Sequence, residues 1–129
     1  EMLASADEVL GISSSRSHAL LDARSYERFR GENETIDPVG GHIPSAACAF
    51  YNDNLTAEGQ FKPAEQLRQR FTNLMGGKTA AETVLYCGSG VSACHNALAM
   101  LHAGLGQARL YVGSWSDWSG VASRPVAKG

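Results

Sequence analysis

The sequence has little of what marks membrane, secreted or nucleic-acid-binding proteins. No apolar run approaches the roughly 20 residues that a bilayer-spanning helix needs, and the N-terminal segment lacks a basic region followed by an apolar stretch. The 11 lysines and arginines stand against 13 aspartates and glutamates, and neither sign is gathered into a block. We therefore expect a cytoplasmic protein, or one of the mitochondrial matrix in a eukaryote, with no nucleic-acid partner and no membrane partner.

Cysteine is also scarce. The three residues Cys48, Cys87 and Cys94 are odd in number and form no Cys-x-x-Cys, which favours a reducing compartment over a disulfide framework. His95 and His102 fall on one predicted helix, but two helical turns put them about 10 Å apart along its axis. Because one zinc ion cannot bridge that distance, we predict no metal site, and nothing else in the sequence calls for a cofactor.

What is present suits one compact globular domain, with 43% apolar and 19% charged residues in 129. Short apolar runs at 19–21, 46–51, 84–86 and 110–112 predict buried strands. Helical patterns are found at 25–30, from Pro63 to Gly76 and at 92–103, and a capping box at Ser5 and Glu8 predicts a short helix that ends near Gly11. This alternation predicts an α/β fold with a mainly parallel central sheet and helices on both faces.

The most informative segment is 86–93, Tyr-Cys-Gly-Ser-Gly-Val-Ser-Ala, where a predicted strand ends and a helix begins. Ligands of open α/β sheets collect at such corners. Backbone N–H groups and the helix dipole there favour a thiolate over a thiol, so we expect Cys87 to be a nucleophile. The backbone around it would cradle an anion, and the residues of that cradle are Gly88, Gly90, Val91, Ser92 and Ala93.

Other interpretations of this loop have to be weighed. Cys87 could simply be a small buried residue at a strand end. A dinucleotide fingerprint is disfavoured because residues 108–110 offer no acidic side chain, and a cysteine phosphatase would need Arg where this chain has Ala93. What remains is a thiolate loop that stabilises negative charge through amides, and a persulfide suits that arrangement.

The segment 87–92 resembles the active-site loop of the rhodanese superfamily, in the form found in 3-mercaptopyruvate sulfurtransferases. Residues 41–46, Gly-His-Ile-Pro-Ser-Ala, resemble its Gly-His-Ile-Pro-Gly-Ala segment, and residues 111–118 resemble its C-terminal tryptophan signature. Residues 22–24 and 28–31 also stand in the order of that family. The chain is similar to the C-terminal catalytic domain of a tandem 3-mercaptopyruvate or thiosulfate sulfurtransferase.

This resemblance implies one rhodanese-like three-layer domain over residues 1–129, forming the C-terminal half of a longer two-domain protein. It implies an enzyme that moves a sulfane sulfur from 3-mercaptopyruvate or thiosulfate to a thiol, cyanide or thioredoxin-like acceptor through a Cys87 persulfide. Arg28 would grip the small-molecule donor, and Ser89 would help to protonate the departing enolate. The N-terminal rhodanese domain of the same chain is the implied partner. The alternative is a non-catalytic or redox-sensing rhodanese module that binds a protein partner.

The chain also departs from the family pattern. A second substrate arginine is expected before Gly41, yet residues 32–40 contain none, and Ser45 stands where the family has Gly. Away from the loop, we interpret Asp22 and Arg24 as a structural pair. We expect Cys48 to be an inert core thiol, His42 to fix backbone geometry, and the tryptophans to be packing residues, namely Trp115 and Trp118.

Overall fold

The computed structural model describes residues 2–32, 34, 37, 39–88 and 91–129, with Val91 described by its backbone only. The helices of this part of the chain are α1 (Ala6–Ser15), α2 (Tyr26–Arg30), α3 (Ala64–Met75), α4 (Val91–His102) and α5 (Ser114–Ser119). The strands are β1 (Ala19–Asp22), β2 (Ala47–Cys48), β3 (Thr83–Tyr86) and β4 (Arg109–Leu110). Two 3₁₀ turns, Tyr51–Asn54 and Ala80–Glu82, complete the regular structure.

The strands form one parallel sheet in the order β2-β1-β3-β4. Asp22 at the end of β1 lies opposite Tyr86 on one side and Cys48 on the other. The carboxyl ends of the strands therefore meet at one edge, and Cys87 follows β3 at this edge. The predicted α/β fold with a parallel central sheet is confirmed.

Helices cover both faces of the sheet. On one face, α3 and α4 bury Leu67, Phe71 and Met100 against Leu21 and Leu85. On the other, α1 and α5 bury a second cluster against β1 and β3, with members Val9, Ile12, Leu20, Val84, Trp115 and Trp118. Both tryptophans are fully buried, which confirms that they are packing residues.

The sequence predicted some element boundaries wrongly. Helix α1 continues through Gly11 to Ser15 and ends where Arg16 adopts a left-handed conformation (φ 57°). Its buried residues Val9 and Ile12 lie on either side of Gly11, so packing against the sheet overrides the low helix propensity of glycine.

The two edge strands are shorter than predicted. β2 covers only Ala47–Cys48, and the chain then turns into the 3₁₀ turn Tyr51–Asn54. β4 ends at Leu110, and residues 114–119, for which no helix was predicted, form α5. An edge strand has a partner on one side only, so its pairing defines fewer residues than an apolar run suggests.

Candidate active site

Cys87 is held in place from the C-terminal part of the chain. Its N–H donates to the Ser114 hydroxyl at 3.0 Å, and its carbonyl accepts from the Trp115 N–H at 2.8 Å. The next carbonyl, that of Gly88, accepts from the Ser116 N–H at 2.9 Å. These contacts fix the backbone beside the sulfur, and the cysteine residue is only 1% exposed.

Ser114 is a site residue to which the sequence analysis gave no role. It is fully buried, has a positive φ of 58°, and its hydroxyl donates to the Tyr111 carbonyl at 2.8 Å. The same oxygen lies 3.9 Å from the Cys87 sulfur. It lies within the tryptophan signature at residues 111–118, and this was the one sequence signal that could have drawn attention to it. Its contact with Cys87 joins residues 27 apart in the chain, which no local pattern predicts.

A cavity of about 360 Å³ opens at this edge of the sheet. Its walls are formed by side chains and backbone of Arg24, Ser25, Arg28, Phe50, Tyr51, Gly88 and Ser92. Helix α4 begins four positions after Cys87, and the first N–H groups of an α-helix have no intrahelical acceptor. The cavity therefore combines two arginines with the first turn of α4, through Ser92, and with Gly88. Cys87, which precedes Gly88, is buried and is not among the described residues that line the cavity.

Three of the residues predicted from the sequence, Arg28, Gly88 and Ser92, line this cavity together. Ala93, at 2% exposure, packs in the core cluster under α4. Ser89, Gly90 and the side chain of Val91 lie outside the described residues. Phe50 and Tyr51 were not predicted as walls, because they follow the short edge strand β2.

The guanidinium of Arg28 lies directly against the Cys87 loop. A Cβ atom placed on Gly88 would be 3.1 Å from Arg28 Nη1, so a larger side chain there would crowd the arginine. Arg28 Nη2 donates to Asp37 Oδ2 at 2.9 Å and lies 3.6 Å from Glu34 Oε2. Its buried Nε has no hydrogen-bond partner among the described residues.

Asp22 and Arg24 form the buried pair that the sequence predicted. Arg24 Nη2 lies 2.6 Å from Asp22 Oδ2 and 2.6 Å from the Gly41 carbonyl, and the guanidinium stacks 4.8 Å from the Trp115 ring centre. Burial alone would lower the pKa of Arg24, but the hydrogen bonds and charge of Asp22 outweigh it and raise that pKa. Arg24 thus stays cationic at the cavity wall.

The remaining thiols and histidines have other surroundings. Cys48 is half-buried rather than a core residue, since it lies on an edge strand; its burial and the nearby Asp22 raise its pKa to about 11. The His42 ring stacks on Phe29 with 3.7 Å between centroids, and its Nδ1 lies 2.7 Å from the Phe29 carbonyl. Within the described part of the chain, no group of three or more metal-ligating side chains is placed to hold an ion.

The chain belongs to the rhodanese family, since the family model described as "Rhodanese-like domain" matches residues 5–120. A protein of Pseudomonas aeruginosa named as a probable 3-mercaptopyruvate sulfurtransferase is 59% identical over 111 residues, covering 86% of this chain and 39% of the relative. A thiosulfate sulfurtransferase of Corynebacterium glutamicum is 30% identical over 131 residues, covering 95% of this chain and 42% of the relative.

Among solved structures, 3-mercaptopyruvate sulfurtransferase from Leishmania major is similar to this chain, with a TM-score of 0.76 and 30% identity. The match covers 93% of this chain and 33% of that protein. The chain thus spans about two fifths of the length of the two curated relatives. The longest helices in the described residues, α3 and α4, have 12 residues each, and none of the described helices could cross a membrane.

Proposed function

We propose that this domain is a sulfurtransferase that moves a sulfane sulfur from 3-mercaptopyruvate or thiosulfate to a thiol or cyanide acceptor. One observation carries the proposal: the Arg28 guanidinium lies against Gly88, the residue next to Cys87, so a cationic anchor and the backbone beside the thiol share one cavity. Both candidate donors carry an anionic group: in thiosulfate it is bonded to the sulfur that is transferred, and in 3-mercaptopyruvate a CH2 and a keto carbon separate it from that sulfur. The sulfurtransferase names of the relatives agree with this reading.

In the proposed first step, Arg28 binds the carboxylate or sulfonate of the donor and the Cys87 thiolate attacks the donor's sulfur. A new S–S bond forms on Cys87, and the bond from that sulfur to carbon or to the second sulfur breaks. The electron pair leaves with pyruvate enolate or with sulfite. The enolate then takes a proton, a step for which the sequence resemblance suggests Ser89.

In the second step, an acceptor thiolate or cyanide attacks the outer sulfur of the persulfide, and Cys87 departs as a thiolate. This divides one difficult transfer into two displacements on the same side chain. The negative sulfur would be stabilised by N–H groups of the 88–93 segment at the start of α4. Ser114 holds the Cys87 N–H and is a positioning residue for the sulfur.

Steady-state sulfur transfer to cyanide or a dithiol, from each donor, tests the proposal. Cys87→Ser should abolish transfer, whereas Cys94→Ser, which removes an exposed thiol on α4, should leave it unchanged. Retained transfer in Cys87→Ser would refute the proposal. If neither donor serves the unaltered chain while Cys87 is oxidised reversibly, the redox-sensing module becomes the better account.

The relatives are longer than this chain, which supports a second proposal: the domain works beside an N-terminal rhodanese domain of the same polypeptide. A thioredoxin-like acceptor and a cytoplasmic location stay predictions from the sequence.

A further inference from the structure

Two carboxylates of the loop between α2 and β2 pair with Arg28, the residue that would bind the donor. Asp37 Oδ2 accepts from Arg28 Nη2 at 2.9 Å, and Glu34 Oε2 lies 3.6 Å from the same nitrogen. Their side chains are 7% and 8% exposed, and that of Arg28 is 25% exposed. The group that an anionic donor needs is therefore already engaged by an internal anion.

Asp37 is also tied to the segment that fixes the thiol. Its Oδ1 accepts from the Ser116 hydroxyl at 2.8 Å, and the Ser116 N–H donates to the Gly88 carbonyl. Nearby, the Trp115 Nε1 donates to the Val39 carbonyl at 2.9 Å. The loop carboxylate is therefore held at a defined position between Arg28 and α5, close to where a donor's own carboxylate would bind.

Among the described residues, the ion pairs around this position leave no surplus of positive charge. They join two guanidiniums, those of Arg24 and Arg28, to three carboxylates, those of Asp22, Glu34 and Asp37. A donor with one carboxylate can replace Asp37 at Arg28 as one anion for another. A donor with two negative charges adds repulsion from the displaced Asp37 and from Glu34, in a partly buried place where screening by salt is weak.

We propose that Asp37 is a specificity-determining residue: its carboxylate competes with the donor for Arg28, so that the cavity favours donors with a single negative charge, such as an α-keto carboxylate, over dianions. This inference rests on the proposed function for its biological meaning. The competition itself is a property of anion binding and can be measured without any sulfur transfer.

The binding test uses two probes that do not transfer sulfur, pyruvate with one charge and sulfate with two. Their dissociation constants are measured by NMR titration of the Gly88 and Ser92 amides. Asp37→Asn should tighten sulfate binding by about three- to tenfold and pyruvate binding by less. The matched control is Glu32→Gln, which makes the same charge change in the same loop at an exposed residue paired with Arg30; it should leave both constants within about twofold.

Asp37→Glu keeps the charge and should retain the preference for pyruvate, which separates charge competition from loss of a structural contact. Urea unfolding establishes that each variant is folded. Unchanged or weaker sulfate binding in folded Asp37→Asn would overturn the proposal. The proposal would also be overturned if Glu32→Gln changed the ratio of the sulfate and pyruvate dissociation constants as much as Asp37→Asn does.

Sulfur transfer then separates this inference from the proposed function. In Asp37→Asn, the KM for thiosulfate should fall relative to the KM for 3-mercaptopyruvate, with kcat little changed. If the protein takes up no sulfur but Asp37→Asn still shifts sulfate binding, the proposed function is wrong and the role of Asp37 in selectivity stands. If the protein transfers sulfur but Asp37→Asn changes neither the ratio of the two dissociation constants nor the ratio of the two KM values, only the role of Asp37 is wrong.

Discussion

Arg24 and Arg28 are four positions apart and have different environments. Arg24 is 3% exposed and is held by Asp22, the Gly41 carbonyl and the face of Trp115, so it cannot leave the wall of the cavity. Arg28, on α2, is partly exposed and pairs with carboxylates of a loop. The first arginine is therefore a fixed positive charge, while the second can exchange its partners for a ligand.

Two features of Ser45 are unfavourable for stability. Its φ is 77°, a left-handed conformation that a side chain disfavours, and its buried hydroxyl has no hydrogen-bond partner among the described residues. Ser45→Gly should therefore raise the free energy of unfolding by about 1 kcal/mol. Ser45→Ala removes the hydroxyl but keeps the Cβ, and should recover only part of this gain.

Urea unfolding of the three proteins measures both effects. A Gly variant that is less stable than the unaltered chain would show that the backbone at this position is not strained.

Cys48 should be slow to react at ordinary pH. Burial and the neighbouring Asp22 raise its pKa to about 11, so the thiol form persists well above neutrality. At pH 8 we expect Cys48 to react with iodoacetamide on the order of a hundredfold more slowly than an ordinary thiol, since only the thiolate is nucleophilic. Its rate should rise until the pH reaches about 11.

Peptide mass spectrometry separates the cysteines, and the exposed Cys94 serves as the reference within the same sample. A rate for Cys48 that levels off near pH 9 would contradict the raised pKa.

At the scale of elements, buried amides join α4 to the cavity wall. Asn96 on α4 donates to the Ala49 carbonyl at 2.8 Å and accepts from Asn54 at 2.8 Å. Arg70 on α3 donates to Asn54 Oδ1 and to the Phe50 carbonyl. These bonds hold the 3₁₀ turn that carries Tyr51 against the helix whose N-terminus faces the cavity.

Asn96→Ala should lower the free energy of unfolding by about 2 kcal/mol, because it leaves the Ala49 carbonyl and an Asn54 N–H buried without partners. The wall formed by Phe50 and Tyr51 should loosen, and the KM for either donor should rise.

Asn73→Ala, at an exposed position on α3, is the control and should change neither the free energy of unfolding nor the KM. Chemical denaturation and donor titrations measure the two effects. An unchanged KM in destabilised Asn96→Ala would show that the network supports the fold but not the wall.

The elements that the sequence predicted well are those with a strong local signal. Helix α3 follows Pro63, buries Leu67 and Phe71 on one face, and ends at Gly76 in a left-handed conformation, as its pattern indicates. The central strands β1 and β3 are paired on both sides and match their apolar runs closely. The ends of α1, β2 and β4, and the whole of α5, depend on tertiary packing that no short window contains.

At the scale of the molecule, the parallel sheet gathers the site from distant segments. Cys87 lies at one strand-to-helix corner. Because such a corner is formed by consecutive residues, its position could be predicted from the sequence. The contacts of Ser114 with Cys87, and of Asp37 with Arg28 and Ser116, join a loop or a C-terminal segment to that corner. Such contacts have no periodicity, and only the three-dimensional arrangement reveals them.

The proposed N-terminal partner domain leads to a prediction about turnover. If a second rhodanese domain contributes groups to the cavity, a longer chain with both halves should turn over faster than this domain alone. Steady-state rates of this domain and of the longer chain, at equal molar concentration and with each donor, measure the difference. Equal rates would contradict a catalytic contribution from the other half.

The proposed persulfide on Cys87 can be observed directly by mass spectrometry of the intact protein after treatment with 3-mercaptopyruvate or thiosulfate. We expect a gain of one sulfur atom that digestion places on Cys87, that disappears on adding a dithiol, and that is absent in Cys87→Ser. If the protein gained no sulfur from either donor, or gained it equally in Cys87→Ser, Cys87 would not be the sulfur carrier.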